Sequence, residues 1–163
     1  CLEVPVGFKH IAAGMQASGA ILGGESSGGL TIRGHILGKD GILAPALIAE
    51  MLARTGRRIS DLLDDLFSRI GRLYMAERNL PATPEMKALF PRLLAQRRIT
   101  ELAGRPVRDV STLDGTKLRF DDDAWLLLRF SGTEPLLRVF AEAATPEEAA
   151  ALAQAAGELL PLA

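Results

Sequence analysis

Two arginines bracket a short glycine-containing loop in the last third of the chain. The segment reads R-F-S-G-T-E-P from Arg129, and Arg138 follows it. Guanidinium groups are planar, permanently charged donors that suit phosphate oxygens. Gly132 permits backbone conformations closed to other residues, so that neighbouring N–H groups can converge on one anion, while Ser131 and Thr133 add hydroxyl donors. This pattern favours an anion site over a plain hairpin turn with solvated arginines.

A second polar cluster lies on a glycine-framed turn near the start of the chain, the 24–29 loop, which reads G-E-S-S-G-G. Glu25 can accept two hydroxyl hydrogen bonds, and Ser27 can donate or accept one. A carboxylate and a hydroxyl two residues apart therefore suit adjacent sugar hydroxyls. Turns rich in Gly, Ser and Glu are also common without any function, so the residues alone leave this assignment open.

The elements around the 24–29 loop predict an α/β segment over residues 1–58. Residues 20–22 are a candidate buried strand, and an extended pattern resumes at 30–32 after the glycines. A helix is predicted after Gly41, with its stop at Thr55-Gly56.

The remaining residues, 59–163, predict an α+β domain. Ser60 is a candidate N-cap for a helix that ends at Gly71. The side chains expected to pack inward from this helix are Leu62, Leu63, Leu66, Phe67 and Ile70. Two Thr-Pro-Glu sequences, starting at Thr83 and Thr145, have the chemistry of helix starts. The apolar runs before and between them predict a mainly antiparallel sheet with helices on one face; these runs are residues 73–77, 107–110, 117–120, 125–130 and 136–141.

The overall composition narrows the function classes. Lys and Arg total 19 against 20 Asp and Glu, a net charge of −1, so no general basic field attracts nucleic acid. The single cysteine, Cys1, excludes an internal disulfide framework and fits a reducing compartment. With only His10 and His35 beside it, a Cys/His zinc site is not expected. The acidic run 121–123 is interpreted as a solvated turn rather than a metal site.

Residues 129–138 as a whole resemble the phosphate-binding signature of the C-terminal domain in α-D-phosphohexomutases of the phosphoglucomutase/phosphomannomutase type. The 24–29 loop resembles the sugar-binding loop of that family's third domain. The resemblance assigns phosphate binding to Arg129, Ser131, Gly132, Thr133 and Arg138, and sugar binding to Glu25 and Ser27. Segments around Lys9 and Lys39 resemble segments of the family's cleft, and these lysines and His35 are possible further cleft contacts.

The resemblance also implies a fold and a place in a larger enzyme. The chain would be the end of the third domain followed by the fourth domain, a sheet like that of the TATA-binding protein. It would be a C-terminal fragment, as the abrupt start at Cys1 also suggests, without catalytic residues or metal ligands of its own.

For the parent protein the resemblance implies a phosphoserine enzyme with Mg²⁺. It would interconvert hexose 1-phosphate and hexose 6-phosphate through a glucose 1,6-bisphosphate-type intermediate. The expected partners are the hexose phosphate and the missing N-terminal domains, with no nucleic acid and no membrane, in the cytoplasm. The isolated chain is expected to be inactive.

Three alternatives stay open. The chain could come from a phosphoglucosamine mutase, although Ser27-Gly28-Gly29 is more similar to the phosphoglucomutase/phosphomannomutase branch, because the glucosamine branch more often has histidine after the first glycine. It could be a stand-alone sugar-phosphate-binding module. It could also be a structural α+β domain, which would show no anion affinity at Arg129 and Arg138.

Overall fold

The fold is described by a computed structural model that covers residues 1–96 and 98–159. The chain divides into two units, Cys1–Gly71 and Arg72–Ala163. The first unit contains three helices and an antiparallel pair of three-residue strands; its elements are α1 (Phe8–Ser18), β1 (Leu22–Gly24), β2 (Leu30–Ile32), α2 (Leu43–Thr55) and α3 (Ile59–Ile70). The division that the sequence analysis placed at 58/59 would assign α3 to the second unit, whereas in the structure α3 lies in the first.

Helix α1 was not anticipated from the sequence. Its buried residues are Ile11 and Met15, which are four positions apart and therefore share one face. Gly19 ends the helix in a left-handed conformation. Strand β1 approaches this face so closely that a Cβ added to Gly23 would lie 2.5 Å from side-chain atoms of Ile11 and Met15. The glycine therefore allows β1 to pack on α1.

Helices α2 and α3 are confirmed, and Gly56, with φ of 63°, ends α2 as predicted. The predicted start of α3 was wrong in one detail. Ser60 is not the cap of α3, because Arg58 occupies the N-cap position and the Ser60 hydroxyl donates to Asp61.

The predicted burial of several apolar side chains was also wrong. Ile21 and Leu22, placed in a buried strand, are 70% and 57% exposed. Of the five apolar residues expected to pack inward from α3, Leu63, Leu66 and Ile70 are exposed as well, whereas Leu62 and Phe67 are half-buried. A pair of three-residue strands offers too little surface to cover three helices.

The second unit is an α+β domain, as predicted. Its strands form one six-stranded sheet in the order β3-β8-β7-β6-β5-β4, with antiparallel pairing throughout. Its elements are β3 (Tyr74–Pro81), α4 (Pro84–Gln96), β4 (Glu101–Leu102), β5 (Arg105–Ser111), β6 (Thr116–Phe120), β7 (Trp125–Phe130), β8 (Leu136–Ala143), α5 (Pro146–Ala155) and a 3₁₀ turn (Ala156–Leu159).

One face of this sheet forms the core with both helices. Burial alternates strictly along β8, so that Leu137, Val139, Ala141 and Ala143 point to the same side and are fully buried. The same apolar cluster includes side chains from both helices, namely Phe90, Leu94, Ala149, Leu152 and Ala153. The helices therefore cover one face, and the opposite face carries the alternate residues, including Arg129 and Arg138.

Both Thr-Pro-Glu sequences start helices as predicted. The Thr83 hydroxyl oxygen accepts a hydrogen bond from the Met86 N–H at 3.2 Å, and Thr145 accepts from the Glu148 N–H at the same distance. These bonds satisfy N–H groups that have no partner within the first turn. The acidic run 121–123 forms the turn between β6 and β7, also as predicted. Among the described residues, no helix has the length and apolarity needed to cross a membrane.

The turn between β5 and β6 depends on Gly115. Its φ is 91°, and an added Cβ would lie 2.4 Å from the Leu128 carbonyl oxygen. We predict that Gly115→Ala destabilises the second unit by more than Gly104→Ala. Gly104 also has a positive φ, but its Cβ would meet open space, so its replacement should cost only the left-handed strain of about 1–2 kcal/mol.

Urea unfolding followed by the fluorescence of Trp125, the only tryptophan in the chain, reports on this unit alone. Equal losses of unfolding free energy in the two variants would contradict the proposed close approach of the turn to β7.

Candidate functional site

The loop between β7 and β8, residues 131–135, is tied together by Ser131. This residue is only 5% exposed. Its N–H donates to the Leu136 carbonyl at 2.9 Å, which closes the loop at its base. Its hydroxyl oxygen accepts hydrogen bonds from the Glu134 N–H at 3.1 Å and, more weakly, from the Thr133 N–H at 3.4 Å. The Ser131 side chain therefore orders the loop, and its hydroxyl hydrogen is the part that can be donated to a ligand.

The middle of the 131–135 loop is open. Gly132 and Thr133 are exposed and line a cavity of about 220 Å³ together with Lys87 and residues from the start of α4. Gly132 does not have the positive φ that the sequence argument assumed, and a Cβ added there would meet nothing within 4 Å. The prediction that this position needs the conformational freedom of glycine was therefore wrong. Space for a ligand beside the backbone is the remaining physical reason for a small residue here.

One neighbouring segment of the chain, residues 82–87, holds both ends of the loop. The Lys87 ammonium, from the second turn of α4, donates to the Ser131 carbonyl at 2.7 Å. The Ala82 N–H, just before α4, donates to the Pro135 carbonyl at 2.9 Å. Both backbone carbonyls at the loop ends thus have donors from one neighbouring segment.

Arg129 and Arg138 lie directly opposite each other on β7 and β8. Side chains at such paired positions are close neighbours, and like charges there repel. Arg138 donates to the Glu134 carboxylate at 2.6 Å, and Arg129 Nε lies 3.0 Å from Asp114 Oδ2. Each arginine therefore has an acidic neighbour that offsets the repulsion.

The contact between Arg129 and Asp114 is a charge contact rather than an aligned hydrogen bond. Arg129 Nε is buried and lacks hydrogen-bond geometry to any acceptor in the described residues, in spite of the short distance to Asp114. Asp114 comes from the turn that Gly115 allows to approach β7. The acid faces Nε, the inner nitrogen of the guanidinium.

The 24–29 loop is held by its own backbone and by two other segments of the first unit. The Glu25 N–H donates to the Gly29 carbonyl at 2.8 Å, and the Gly28 N–H donates to the Glu25 carbonyl at 2.9 Å. The Glu25 carboxylate, in turn, forms an ion pair with Lys39 at 2.6 Å. The stem of Lys39 passes over Gly29, where a Cβ would lie 3.1 Å from it.

Several donors converge on the Glu25 carboxylate and lower its pKa. The largest cause is the hydrogen bond from Lys39, and burial opposes it. The charge of Lys39, the Gly7 N–H and the Ser27 hydroxyl lower the pKa further. The structure thus brings together Glu25, Ser27 and Lys39, three of the residues that the sequence analysis assigned to a site.

Lys9 and His35 have different surroundings. Lys9 is exposed on the first turn of α1, two residues after Gly7. His35 Nε2 lies 2.8 Å from the Asp40 carboxylate. Asp40 also accepts hydrogen bonds from the N–H groups of Ile42 and Leu43 at the start of α2, and the first of these is the largest cause that lowers the pKa of Asp40. His35 is therefore oriented by the same carboxylate that accepts the two N–H groups at the start of α2.

The sequence analysis missed three residues of these sites. Asp40 had a usable signal, since an aspartate just before a predicted helix start is a common cap. Asp114 and Lys87 had none, because their partners Arg129 and Ser131 are distant in sequence; Lys87 and Ser131 are 44 residues apart.

The described residues do not fit a metal site. Across 1–96 and 98–159, no three His, Cys, Asp or Glu side chains lie close enough together to hold an ion. In the acidic turn 121–123, Asp122 forms an ion pair with Arg105. The Mg²⁺ that the family resemblance implies has no ligand set in this part of the chain.

Comparisons with known proteins match both units. A family model described as phosphoglucomutase/phosphomannomutase, alpha/beta/alpha domain III, matches residues 1–70. A second, described as phosphoglucomutase/phosphomannomutase, C-terminal domain, matches residues 87–158.

Individual relatives have related names. The chain is 33% identical over 148 residues to a phosphoglucomutase/phosphomannomutase of Thermococcus kodakarensis, covering 91% of the chain and 30% of the relative. It is 34% identical over 158 residues to a probable phosphoglucosamine mutase of Pyrococcus abyssi, covering 95% and 32%. A solved putative phosphomannomutase from Thermus thermophilus superposes with a TM-score of 0.68 at 32% identity, covering 95% of this chain and 30% of that one. The chain therefore spans about a third of the length of these relatives.

The ion pair between Glu25 and Lys39 gives a pH-dependent prediction. Because the folded-state pKa of Glu25 lies below its ordinary value of 4.5, the pair contributes stability above the unfolded pKa and loses it as the pH falls through the folded pKa. Lys39→Met should raise the pKa of Glu25 toward the ordinary value and flatten this loss. Carboxyl ¹³C NMR titration measures the pKa directly.

Lys9→Met is the matched control, since it removes an exposed lysine of the same unit that is not part of this hydrogen-bond cluster. A pKa of Glu25 that moves equally in both variants would show that general charge, rather than the Lys39 contact, lowers it.

Proposed function

Because the chain belongs to the phosphoglucomutase/phosphomannomutase family, of which it matches the third and the C-terminal domains, we propose that it supplies substrate-binding loops to a phosphohexomutase. The reaction is the interconversion of hexose 1-phosphate and hexose 6-phosphate. The 131–135 loop binds the phosphate that is not being transferred, and the 24–29 loop binds sugar hydroxyls.

The observation that carries this proposal is the pair of facing arginines beside an ordered, open loop. Placing two guanidinium groups directly opposite each other costs free energy unless negative charge lies near both. Asp114 provides such charge beside Arg129, and Glu134 provides it beside Arg138. A phosphate between the terminal nitrogens could accept charge-assisted hydrogen bonds from both arginines, in addition to donors from Gly132 and Thr133.

The 24–29 loop has suitable chemistry for neutral hydroxyls. Glu25 is a carboxylate with a lowered pKa, so it is ionised and accepts hydrogen bonds across the neutral pH range. The exposed Ser27 adds a donor or acceptor. Lys39 neutralises the charge of Glu25 in the free chain, and it is also positioned to contact a sugar or phosphate oxygen.

In this proposal the chemical step takes place on the rest of the protein. A phosphoserine donates its phosphoryl group to a free hydroxyl of the sugar phosphate, which gives a hexose bisphosphate. The intermediate reorients, and the serine takes the other phosphoryl group back. Mg²⁺, held outside this chain, would offset the charge of the transferring group. The residues described here bind and orient the substrate, which accounts for much of the catalysis in phosphoryl transfer.

Among hexose phosphates, we favour glucose and mannose phosphates over glucosamine phosphate. Gly28-Gly29 after Ser27 supports this choice, because the glucosamine branch more often has histidine after the first glycine. Relatives named for both kinds of sugar are similar to the chain to nearly the same degree. A phosphoglucosamine mutase is therefore the alternative, and relative binding of glucose 1-phosphate and glucosamine 1-phosphate distinguishes the two.

The first prediction from this proposal concerns Arg129. Titration of glucose 1-phosphate into the ¹⁵N-labelled chain should shift the amides of residues 131–133. Arg129→Ala should weaken this response by roughly tenfold or more, because a hydrogen bond to a charged group contributes about 1.5–3 kcal/mol.

Arg108→Ala is the control, since it removes an exposed arginine from strand β5. It should leave the affinity unchanged within about twofold. Equal weakening in both variants would indicate a nonspecific charge effect, and no response of the unmodified chain at millimolar ligand would contradict the proposed loop.

The second prediction is that the chain by itself does not convert glucose 1-phosphate into glucose 6-phosphate. It lacks the phosphoserine that donates the phosphoryl group in the proposed mechanism. A coupled assay for glucose 6-phosphate, with added glucose 1,6-bisphosphate and Mg²⁺, should give the rate of a protein-free control. Any turnover that survives repurification would place a phosphoryl donor within these 163 residues.

A further inference from the structure

We propose that Lys87 is a positioning residue of the anion site, which fixes the 131–135 loop through the Ser131 carbonyl and adds a positive charge to the wall of the cavity. This inference rests on the proposed function, because it assumes that the loop binds a phosphate. No feature of the local sequence around the loop points to Lys87, which lies on a different element.

The first support is the bonding of Ser131. Its N–H, its carbonyl oxygen and its hydroxyl oxygen all have partners, and Lys87 is the partner of the carbonyl. The carbonyl of Ser131 and the N–H of Gly132 belong to the same peptide plane, and they point in opposite directions across it. A donor that holds the carbonyl therefore also fixes the direction of the Gly132 N–H.

The second support is that α4 contacts both Phe130, the last residue of β7, and Ser131, the first residue of the loop. The ring of Phe90 packs edge-to-face against Phe130, with centroids 5.9 Å apart and an interplanar angle of 83°. Lys87 and Phe90 are three positions apart, so they lie on the same face of α4. Phe90 is nearly fully buried in the core, so it anchors α4. The turn of α4 before Phe90 carries Lys87, which donates to Ser131, the residue that follows Phe130.

The third support is electrostatic. Lys87 lines the same cavity as Gly132, Thr133 and Glu134. Arg129 and Arg138 do not line this cavity. The charge of Lys87 therefore acts on an anion held by the arginines at a distance, by Coulomb attraction through the loop, rather than by a direct hydrogen bond.

The test compares inorganic phosphate binding to the full 163-residue chain and its variants by ¹⁵N NMR. Lys87→Met keeps most of the aliphatic stem and removes the charge. It should shift the ligand-free amides of Ser131 and Gly132 and weaken phosphate binding at residues 131–133 by roughly fivefold, the equivalent of one typical hydrogen bond. Lys87→Arg should restore most of the affinity, because its guanidinium can also donate to a carbonyl.

Arg92→Met is the matched control. It removes one positive charge from an exposed position on the same helix, five residues further along, and should change neither the ligand-free loop amides nor the affinity. Thermal unfolding followed by Trp125 fluorescence checks that each variant is folded at the temperature of the titration.

The outcomes separate the two proposals. If unmodified chain binds phosphate at 131–133 and Lys87→Met binds equally well, the role of Lys87 is wrong and the proposed function stands. If the unmodified chain shows no response, the proposed phosphate loop fails. In that case the amide chemical shifts of the ligand-free chain still test whether Lys87 fixes the loop. Unchanged shifts of Ser131 and Gly132 in Lys87→Met would rule out that role.

Discussion

The antiparallel register between β7 and β8 is the constraint on which the candidate anion site depends. Pairing Leu128 with Val139 on the buried face places Arg129 opposite Arg138 on the other face. A shift of one residue would expose the leucine and bury an arginine, so the apolar core fixes the register. The position of the two charges is therefore decided by hydrophobic burial.

The same register determines where the loop begins and ends. Leu137 and Val139 are fully buried, which fixes β8 from its start, and the Ser131 N–H bond to Leu136 closes the loop directly above the last strand pair. The strong alternation of these strands made the C-terminal sheet predictable from the sequence. In the first unit the apolar residues of α3 had the same clear pattern, but burial depends on what lies opposite a face, and the pattern of one element does not contain that information.

In the candidate site, residues that are contiguous in the sequence could be predicted, whereas partners from distant parts of the chain could not. The loop residues could be found because they are contiguous and their types suit an anion. The residues that hold them come from elsewhere: Asp114 from another turn, Lys87 from α4, and the Gly7 N–H from the start of α1. Such partners leave no local pattern, because a single lysine on a helix reads as a solvated charge. The argument from Gly132 failed for a related reason, since residue type shows which conformations are allowed and not which one is adopted.

Charged groups in both loops are paired with an opposite charge in the ligand-free chain. Arg138 lies against Glu134, Arg129 against Asp114, and Glu25 against Lys39. A ligand that uses these groups must compete with the internal partner or share it, so the net gain on binding is the difference between two charge contacts rather than the whole of one. Phosphate, with several acceptor oxygens, can share two arginines with their acids, whereas a single carboxylate cannot match that geometry as well. If the 131–135 loop binds phosphate as proposed, the pairing of its two arginines with acids favours multidentate anions over simple ones.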